Sequence, residues 1–135
     1  GSVTGRPARA SVGRILLVED HAATRAALEH LLVRRRYDVR AAGTAAEARA
    51  LAGEGGFDLL ISDIGLPDGN GYELMAEFRE RLGLKGIALT GYGMEEDVAR
   101  SRDAGFLHHL TKPVRMQALD SALAALAEAT TGNGG

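Results

Sequence analysis

The chain contains no cysteine and no tryptophan, and only 4% of its 135 residues are aromatic. The absence of cysteine excludes disulfide bonds, thiolate metal sites and a cysteine nucleophile. Because aromatic residues are so few, the core must be built mainly from leucine, isoleucine, valine and alanine. The net charge is only −2, so the chain lacks the basic surplus that supports non-specific nucleic-acid binding. We expect no direct contact with nucleic acid.

The sequence also lacks any apolar run close to the roughly 20 residues that cross a bilayer, and no signal peptide is visible. Together with the missing cysteines, these features predict a cytoplasmic domain without membrane contact. The length fits one domain. We expect a flexible lead-in or expression scar over residues 1–13, a folded domain over 14–129 and a flexible tail over 130–135. Two loose ends suggest a domain cut from a longer chain.

Apolar runs typical of strands alternate with helical patterns, which favours βα units and a parallel sheet. The predicted strands cover residues 14–18, 38–42, 57–62, 86–90 and 106–111. A helix is predicted after each strand, the first over residues 22–36 and the fourth over 95–104. The last helix follows Pro113 and carries an i, i+3, i+4, i+7 stripe of Leu119, Ala122, Leu123 and Leu126. The pattern predicts an α/β fold with five strands and five helices.

Polar side chains follow or end four of the predicted strands. Glu19 and Asp20 follow the first strand, Asp63 the third, Thr90 ends the fourth and Lys112 follows the fifth. In an open parallel sheet, groups at the carboxyl ends of the strands meet in one crevice. Three carboxylates there would repel one another unless a cation neutralised them. Mg²⁺ (or Mn²⁺) prefers such oxygen ligands, so the sequence predicts a divalent-cation pocket.

Asp63 is the candidate phosphoacceptor of this pocket. A carboxylate can attack phosphorus and carry the group as an acyl phosphate. The cation and Lys112 would neutralise the phosphoryl oxygens, and the Thr90 hydroxyl could donate a hydrogen bond to one of them. Since phosphoryl transfer depends mainly on positioning and charge stabilisation, this set of groups favours that chemistry over hydride transfer.

The chain resembles the receiver domain of two-component response regulators over residues 13–128. The resemblance rests on motifs in a fixed order, which are Val18–Asp20, Ser62–Asp63 with Leu66, Pro67 and Gly69, Ala88–Gly91, and Thr111–Pro113. It implies a flavodoxin-like, doubly wound sheet of strand order 2-1-3-4-5. It also implies that Asp63 accepts a phosphoryl group from a histidine kinase or a histidine phosphotransfer protein. The surface of helix 4, strand 5 and helix 5 would then switch towards a downstream protein target.

The resemblance also implies how the cation is held. Asp20 would ligate it directly and Glu19 largely through water, while Asp63 and the main-chain carbonyl of Gly65 would complete the protein ligands. The bond between Lys112 and Pro113 would be a cis peptide. Such a domain is a switch that catalyses only its own phosphoryl transfer and dephosphorylation.

The resemblance also implies roles for three further positions. His109 falls where receivers usually carry a tyrosine or phenylalanine that turns inward on phosphorylation, so it is either a switching residue or a partly buried packing histidine. Gly65 and Tyr92 occupy positions that tune how fast water removes the phosphoryl group, and the direction of their effect stays open.

Two other classes of protein fit less well. An aspartyl-nucleophile phosphatase typically needs a second acid two residues after its nucleophile, where this chain has Gly65. A flavodoxin-type module would need a phosphate loop after the first strand, where the acids Glu19 and Asp20 would repel phosphate. Since no output domain is visible, we expect the receiver of a hybrid histidine kinase or a stand-alone receiver.

Overall fold

The computed structural model describes residues 13–91 and 98–134, with the backbone alone described for residues 98 and 128–134. The strands, in chain order, are β1 (Arg14–Val18), β2 (Asp38–Ala42), β3 (Leu59–Asp63), β4 (Gly65–Leu66), β5 (Gly69–Asn70), β6 (Lys85–Thr90) and β7 (Phe106–Thr111). The helices in these ranges are α1 (Ala22–Arg34), α2 (Ala45–Ala52), α3 (Gly71–Leu82), α4 (Val98–Ala104) and α5 (Met116–Gly134). None of these helices is long and apolar enough to cross a bilayer.

Five of the strands form one parallel sheet in the order β2-β1-β3-β6-β7. The short strands β4 and β5 pair with each other outside this sheet. Once this small hairpin is set aside, the order is the predicted 2-1-3-4-5. The structure therefore confirms the doubly wound fold.

The core consists of two layers, one on each face of the sheet. Successive residues of a strand point to opposite faces, so Leu16 and Val18 of β1 join one layer while Ile15 and Leu17 join the other. The first layer includes buried residues of α2, α3 and α4, and the second includes buried residues of α1 and α5. Because helices cover both faces of the sheet, the residues of β1 from Ile15 to Val18 are all apolar.

Several predicted boundaries shift in the structure. The third strand begins at Leu59 rather than residue 57, and α1 ends at Arg34, two residues early. The final helix continues to Gly134, whereas the sequence predicted an unstructured tail from residue 130. The residues before position 130 are rich in alanine and contain no proline, which favours a helix up to that point. The last turn continues through Gly132 and Asn133 although these residues are poor helix formers. The predicted start of the fourth helix lies outside the described residues.

The end of α3 corrects one predicted core position. The helical spacing of Leu74, Met75 and Phe78 predicts that Leu82 lies on the same buried stripe of α3, but Leu82 is 44% exposed. The chain turns at Gly83, which has a left-handed φ of 71°, and the Leu84 N–H donates to the carbonyl of Phe78. This closure places the residue after the glycine against the helix. Leu84, only 2% exposed, therefore fills the apolar space that the helical stripe assigned to Leu82.

The start of α2 is capped by its own residues and by the loop that follows β3. The Thr44 hydroxyl accepts a hydrogen bond from the Glu47 N–H at 3.0 Å, the usual role of a threonine directly before a helix. The Asp68 carboxylate, 23 residues away, accepts the Ala45 N–H at 2.7 Å, and its second oxygen accepts the Ala46 N–H at 3.0 Å. These hydrogen bonds fasten the loop to the N-terminus of the helix.

The cap makes a prediction about pH. The bonds from Ala45 and then Ala46 hold the pKa of Asp68 below its ordinary value of 3.8. A lowered pKa contributes stability that is complete above 3.8 and is lost as the pH falls through the folded value. We expect Asp68→Ala to lower the melting temperature at neutral pH, and the difference from wild type to shrink as the solution becomes more acidic than 3.8.

Thermal melts followed by circular dichroism over a pH series would check this. Glu80→Ala, which removes an exposed carboxylate from α3, is the control. A deficit of Asp68→Ala that stays constant at all pH values would show that the carboxylate charge contributes nothing to the cap.

Candidate functional site

The predicted site residues gather at the carboxyl ends of the parallel strands. Register places Val18 beside Ser62, and Asp63 beside Leu89, so the ends of β1, β3 and β6 are level. Glu19 directly follows β1, and its N–H donates to the carbonyl of Ala42 at 3.0 Å. This alignment brings the polar residues that follow separate strands to one edge of the sheet.

Three carboxylates form the acidic part of the site. Glu19, Asp20 and Asp63 each offer an oxygen, and these oxygens lie within 4.8 Å of one another. Glu19 is fully buried and Asp63 is 5% exposed, whereas Asp20 is open to solvent. Carboxylate oxygens at this spacing, with one side open to water, suit Mg²⁺ or Mn²⁺, which keep several water ligands. The residues therefore fit the cation that the sequence predicts.

Lys112 supplies the counter-charge within the site. Its Nζ donates to Oε1 of Glu19 at 2.9 Å and to Oδ2 of Asp63 at 2.8 Å. Burial pushes the pKa of Lys112 down, but the hydrogen bonds and charges of Asp63 and Glu19 outweigh burial and raise it above 10.5. The stability from this raised pKa is complete below 10.5 and is lost only as the pH rises through the folded value. Lys112 is therefore charged at neutral pH.

The main chain around Asp63 is held on several sides. The Ser62 hydroxyl donates to the Asp63 carbonyl at 2.9 Å, and the Gly71 N–H donates to the Ile64 carbonyl at 2.7 Å. A Cβ atom at Gly71 would lie 2.3 Å from the Asp63 carbonyl oxygen. Only glycine permits that approach, so the start of α3 fixes the strand end that carries the acid. The Gly65 residue, whose carbonyl is a predicted metal ligand, is exposed in β4.

The neighbouring strands β6 and β7 are joined at the site by a main-chain hydrogen bond. The Lys112 N–H donates to the Thr90 carbonyl at 2.8 Å, and the Thr90 residue is 3% exposed. The peptide bond between Lys112 and Pro113 is cis, the geometry that the resemblance implies. These contacts place Thr90, which carries the hydroxyl, and Lys112, which carries the ammonium group, at the ends of adjacent strands.

Two residues make contacts in the site that could not be predicted from the sequence. Arg25, in the first turns of α1, donates from Nη1 to the Glu19 carbonyl at 2.8 Å and to the Asp20 carbonyl at 3.4 Å. The His21 N–H donates to Oε2 of Glu19 at 2.9 Å. The spacing of an arginine five residues after an acid is not a recognisable motif. These contacts depend on how the chain enters α1, which only the structure shows.

His109 is the remaining predicted site residue that the structure describes. His109 is half-buried, and its Nε2 is 2.8 Å from the hydroxyl oxygen of Ser101 in α4, which is 1% exposed. His108 pairs with Ile87 and His109 with Ala88, so the two histidines face opposite layers. Tyr92 lies outside the described residues.

Comparison with known proteins adds independent information. The response regulator receiver domain family matches residues 15–124. The probable transcriptional regulator ycf29 of Pyropia yezoensis is 36% identical over 103 residues, which make up 74% of this chain and 46% of that protein. The sensor histidine kinase RcsC of Salmonella typhi is 30% identical over 115 residues, 84% of this chain and 12% of the kinase.

A solved structure agrees with the sequence relatives. The crystal structure of a CheY-like response regulator receiver domain protein from Methanospirillum hungatei JF-1 has a TM-score of 0.81 and 32% identity, covering 91% of this chain and 99% of that one. The present chain spans less than half the length of the first curated relatives that it matches. Because the family match extends over most of the chain and the fold agrees, we conclude that this chain belongs to the response regulator receiver domain family.

Proposed function

We propose that Asp63 accepts a phosphoryl group from the phosphohistidine of a histidine kinase or histidine phosphotransfer protein. Receiver domains are phosphoacceptor switches of two-component signalling rather than turnover enzymes. One observation carries the assignment to Asp63. Its nearly buried carboxylate receives the Lys112 ammonium at 2.8 Å and lies within cation-binding distance of two further acids.

Receiver domains bind Mg²⁺ at an acidic pocket, and the oxygen donors of this chain suit that ion. Asp20 and Asp63 would hold it directly with the Gly65 carbonyl, and Glu19 would hold it largely through water. When bound, the ion supplies positive charge opposite the phosphoryl oxygens. Both Glu19 oxygens already accept hydrogen bonds, from Lys112 and from the His21 N–H, which supports the indirect role of this acid.

The transfer step needs little from the protein beyond placement and charge. A carboxylate oxygen of Asp63 forms a bond to phosphorus while the phosphorus–nitrogen bond of the phosphohistidine breaks, and the imidazole leaves with the electron pair. Lys112 orients the carboxylate before the transfer and neutralises phosphoryl oxygens during it. Thr90 lies at the end of the adjacent strand β6, and its hydroxyl donates a hydrogen bond to a phosphoryl oxygen.

Phosphorylation would then change the surface formed by α4, β7 and α5. Movement of Thr90 alters the strand next to β7, and the populations of two conformations of this surface shift. Leu107 is 50% exposed and Met116 is 55% exposed there, which gives a downstream protein target apolar contacts. The contact between His109 and Ser101 joins β7 to α4, so His109 is placed either to switch or to pack.

The parent protein is part of the same proposal. The similarity to RcsC supports the receiver of a hybrid histidine kinase, with a stand-alone receiver as the other arrangement. Because phosphotransfer from a histidine kinase takes place in the cytoplasm, we propose that location. That Gly65 and Tyr92 influence how fast water removes the phosphoryl group remains a prediction.

Incubation with a small acyl phosphate donor and Mg²⁺ tests the function. We expect intact-protein mass spectrometry to show the addition of one phosphoryl group, and peptide mapping to place it on Asp63. Removal of the cation with EDTA should prevent the addition, because the three acids then repel the incoming group. Labelling that proceeds equally in EDTA would contradict the proposed site.

A further inference from the structure

We propose that Arg25 is a positioning residue that holds the main chain of Glu19 and Asp20 in the geometry needed for a divalent cation. The inference rests on the cation site of the proposed function. Arg25 belongs to α1 but reaches back to the turn before it, where one nitrogen, Nη1, donates to both main-chain carbonyls. The carboxylates of these two residues are therefore attached to a backbone segment that one guanidinium group fixes.

The position of this charge is unexpected for a cation site. A guanidinium group bound to the backbone of two of the acidic residues adds a positive charge close to the site, and its repulsion of a divalent cation would weaken binding. Its hydrogen bonds have the opposite effect, because they fix the segment that carries two of the acids. Groups that orient the ligands of a metal commonly change its affinity by about 10–100-fold. We infer that positioning exceeds repulsion, so that loss of Arg25 weakens Mg²⁺ binding.

Gly43 offers a way to move the guanidinium group without removing its charge. A Cβ atom at this position would lie 2.9 Å from Nη1 of Arg25, which is too close for both to remain in place. Its next nearest neighbours would be at 3.6 and 3.7 Å, an ordinary contact distance. Because Nη1 is the far end of a flexible side chain, Gly43→Ala is expected to displace Arg25 from the carbonyls and to leave the backbone unchanged.

Isothermal titration of the metal-free protein with Mg²⁺ tests the inference. We expect Arg25→Gln and Gly43→Ala each to weaken Mg²⁺ affinity about tenfold. The double variant should be no weaker than Arg25→Gln alone, because both changes remove the same contact. Arg25→Lys should recover part of the affinity, since an ammonium group can still donate to a carbonyl. Arg34→Gln, which removes an exposed charge from the other end of α1, should bind as wild type does.

Melting temperatures measured in EDTA separate positioning from general stability. A purely structural role would lower the melting temperature of the metal-free variants and leave the Mg²⁺ affinity of the folded fraction unchanged, which would overturn the proposal. Equal or tighter binding by Arg25→Gln would also overturn it, because repulsion would then dominate. If Arg25→Gln does not fold, Gly43→Ala decides, since it keeps the charge, and wild-type affinity in that variant would refute the proposal.

Failure of the proposed function has a different signature. Wild-type protein that binds no Mg²⁺ would remove the cation site itself and this inference with it. Wild-type protein that binds Mg²⁺ and accepts a phosphoryl group, beside variants of unchanged affinity, would leave the function standing and reject only the role of Arg25.

Discussion

Asp63→Asn will abolish phosphorylation of this protein by a small acyl phosphate donor and Mg²⁺. The amide of asparagine is a poor nucleophile and cannot carry the group as an acyl phosphate. The change also removes one of the three acids that would hold the cation. Its shape is nearly unchanged, and the amide oxygen can still accept the Lys112 hydrogen bond that Oδ2 now accepts at 2.8 Å. We therefore expect labelling at background level in a folded protein.

Acid-labile labelling, followed by intact mass, measures this result. Asp68→Asn is the matched control, because it makes the same chemical change in an exposed residue of the following loop. That variant should be labelled as wild type is. Retained labelling of Asp63→Asn, with loss of labelling in Asp68→Asn, would move the phosphoacceptor to the loop.

Lys112→Ala will keep the fold but destabilise the metal-free protein and impair switching. The substitution leaves the buried Glu19 and Asp63 carboxylates without the ammonium that now contacts both. Removing one partner of a fully buried ion pair costs about 3–5 kcal/mol. The Lys112 side chain is 22% exposed and water can replace part of its contact, so we expect the free energy of unfolding to fall by about 2 kcal/mol.

Denaturant titrations in EDTA and in Mg²⁺ would measure this change. The bound cation should restore part of the lost stability, because it neutralises the same carboxylates. Arg34→Ala, which removes an exposed positive charge from α1, should change stability little in either solution. Beryllofluoride with Mg²⁺ should alter the NMR signals of β7 and α5 in wild type, and much less in Lys112→Ala. A full response in the variant would show that Lys112 has no part in switching.

The fold could be predicted because its signals are local and repeat along the chain. Each buried strand is a short apolar run, and the stripe from Leu119 to Leu126 is buried as the helical spacing predicts. The exact ends of the strands depend more on contacts between residues that are distant in the sequence. The Asp58 N–H donates to the Arg14 carbonyl at 2.8 Å, and Asp58 also accepts the Arg14 N–H at 2.9 Å. These contacts join residues 44 apart, so the start of β3 depends on pairing that the sequence does not display.

Some residues of the site could likewise be predicted from the sequence, and others could not. The acids, Thr90 and Lys112 could be placed because strand ends in a parallel sheet share one edge. Arg25 and Asp68 could not, because each acts through main-chain groups whose positions depend on how a helix enters the fold. Ser101 was also missed, since a single serine in a polar helix carries no pattern, and only its contact with His109 gives it a role.

The hydrogen bonds between Asp68 and α2 link the loop that leaves Asp63 to a neighbouring helix. Two main-chain N–H groups of α2 hold the carboxylate of this loop. The sheet itself is alike on its two sides, since β2 and β7 are both edge strands with one strand neighbour each. A displacement of the loop after Asp63 would therefore have to move or break these two hydrogen bonds, and α2 is the helix that it would disturb through them.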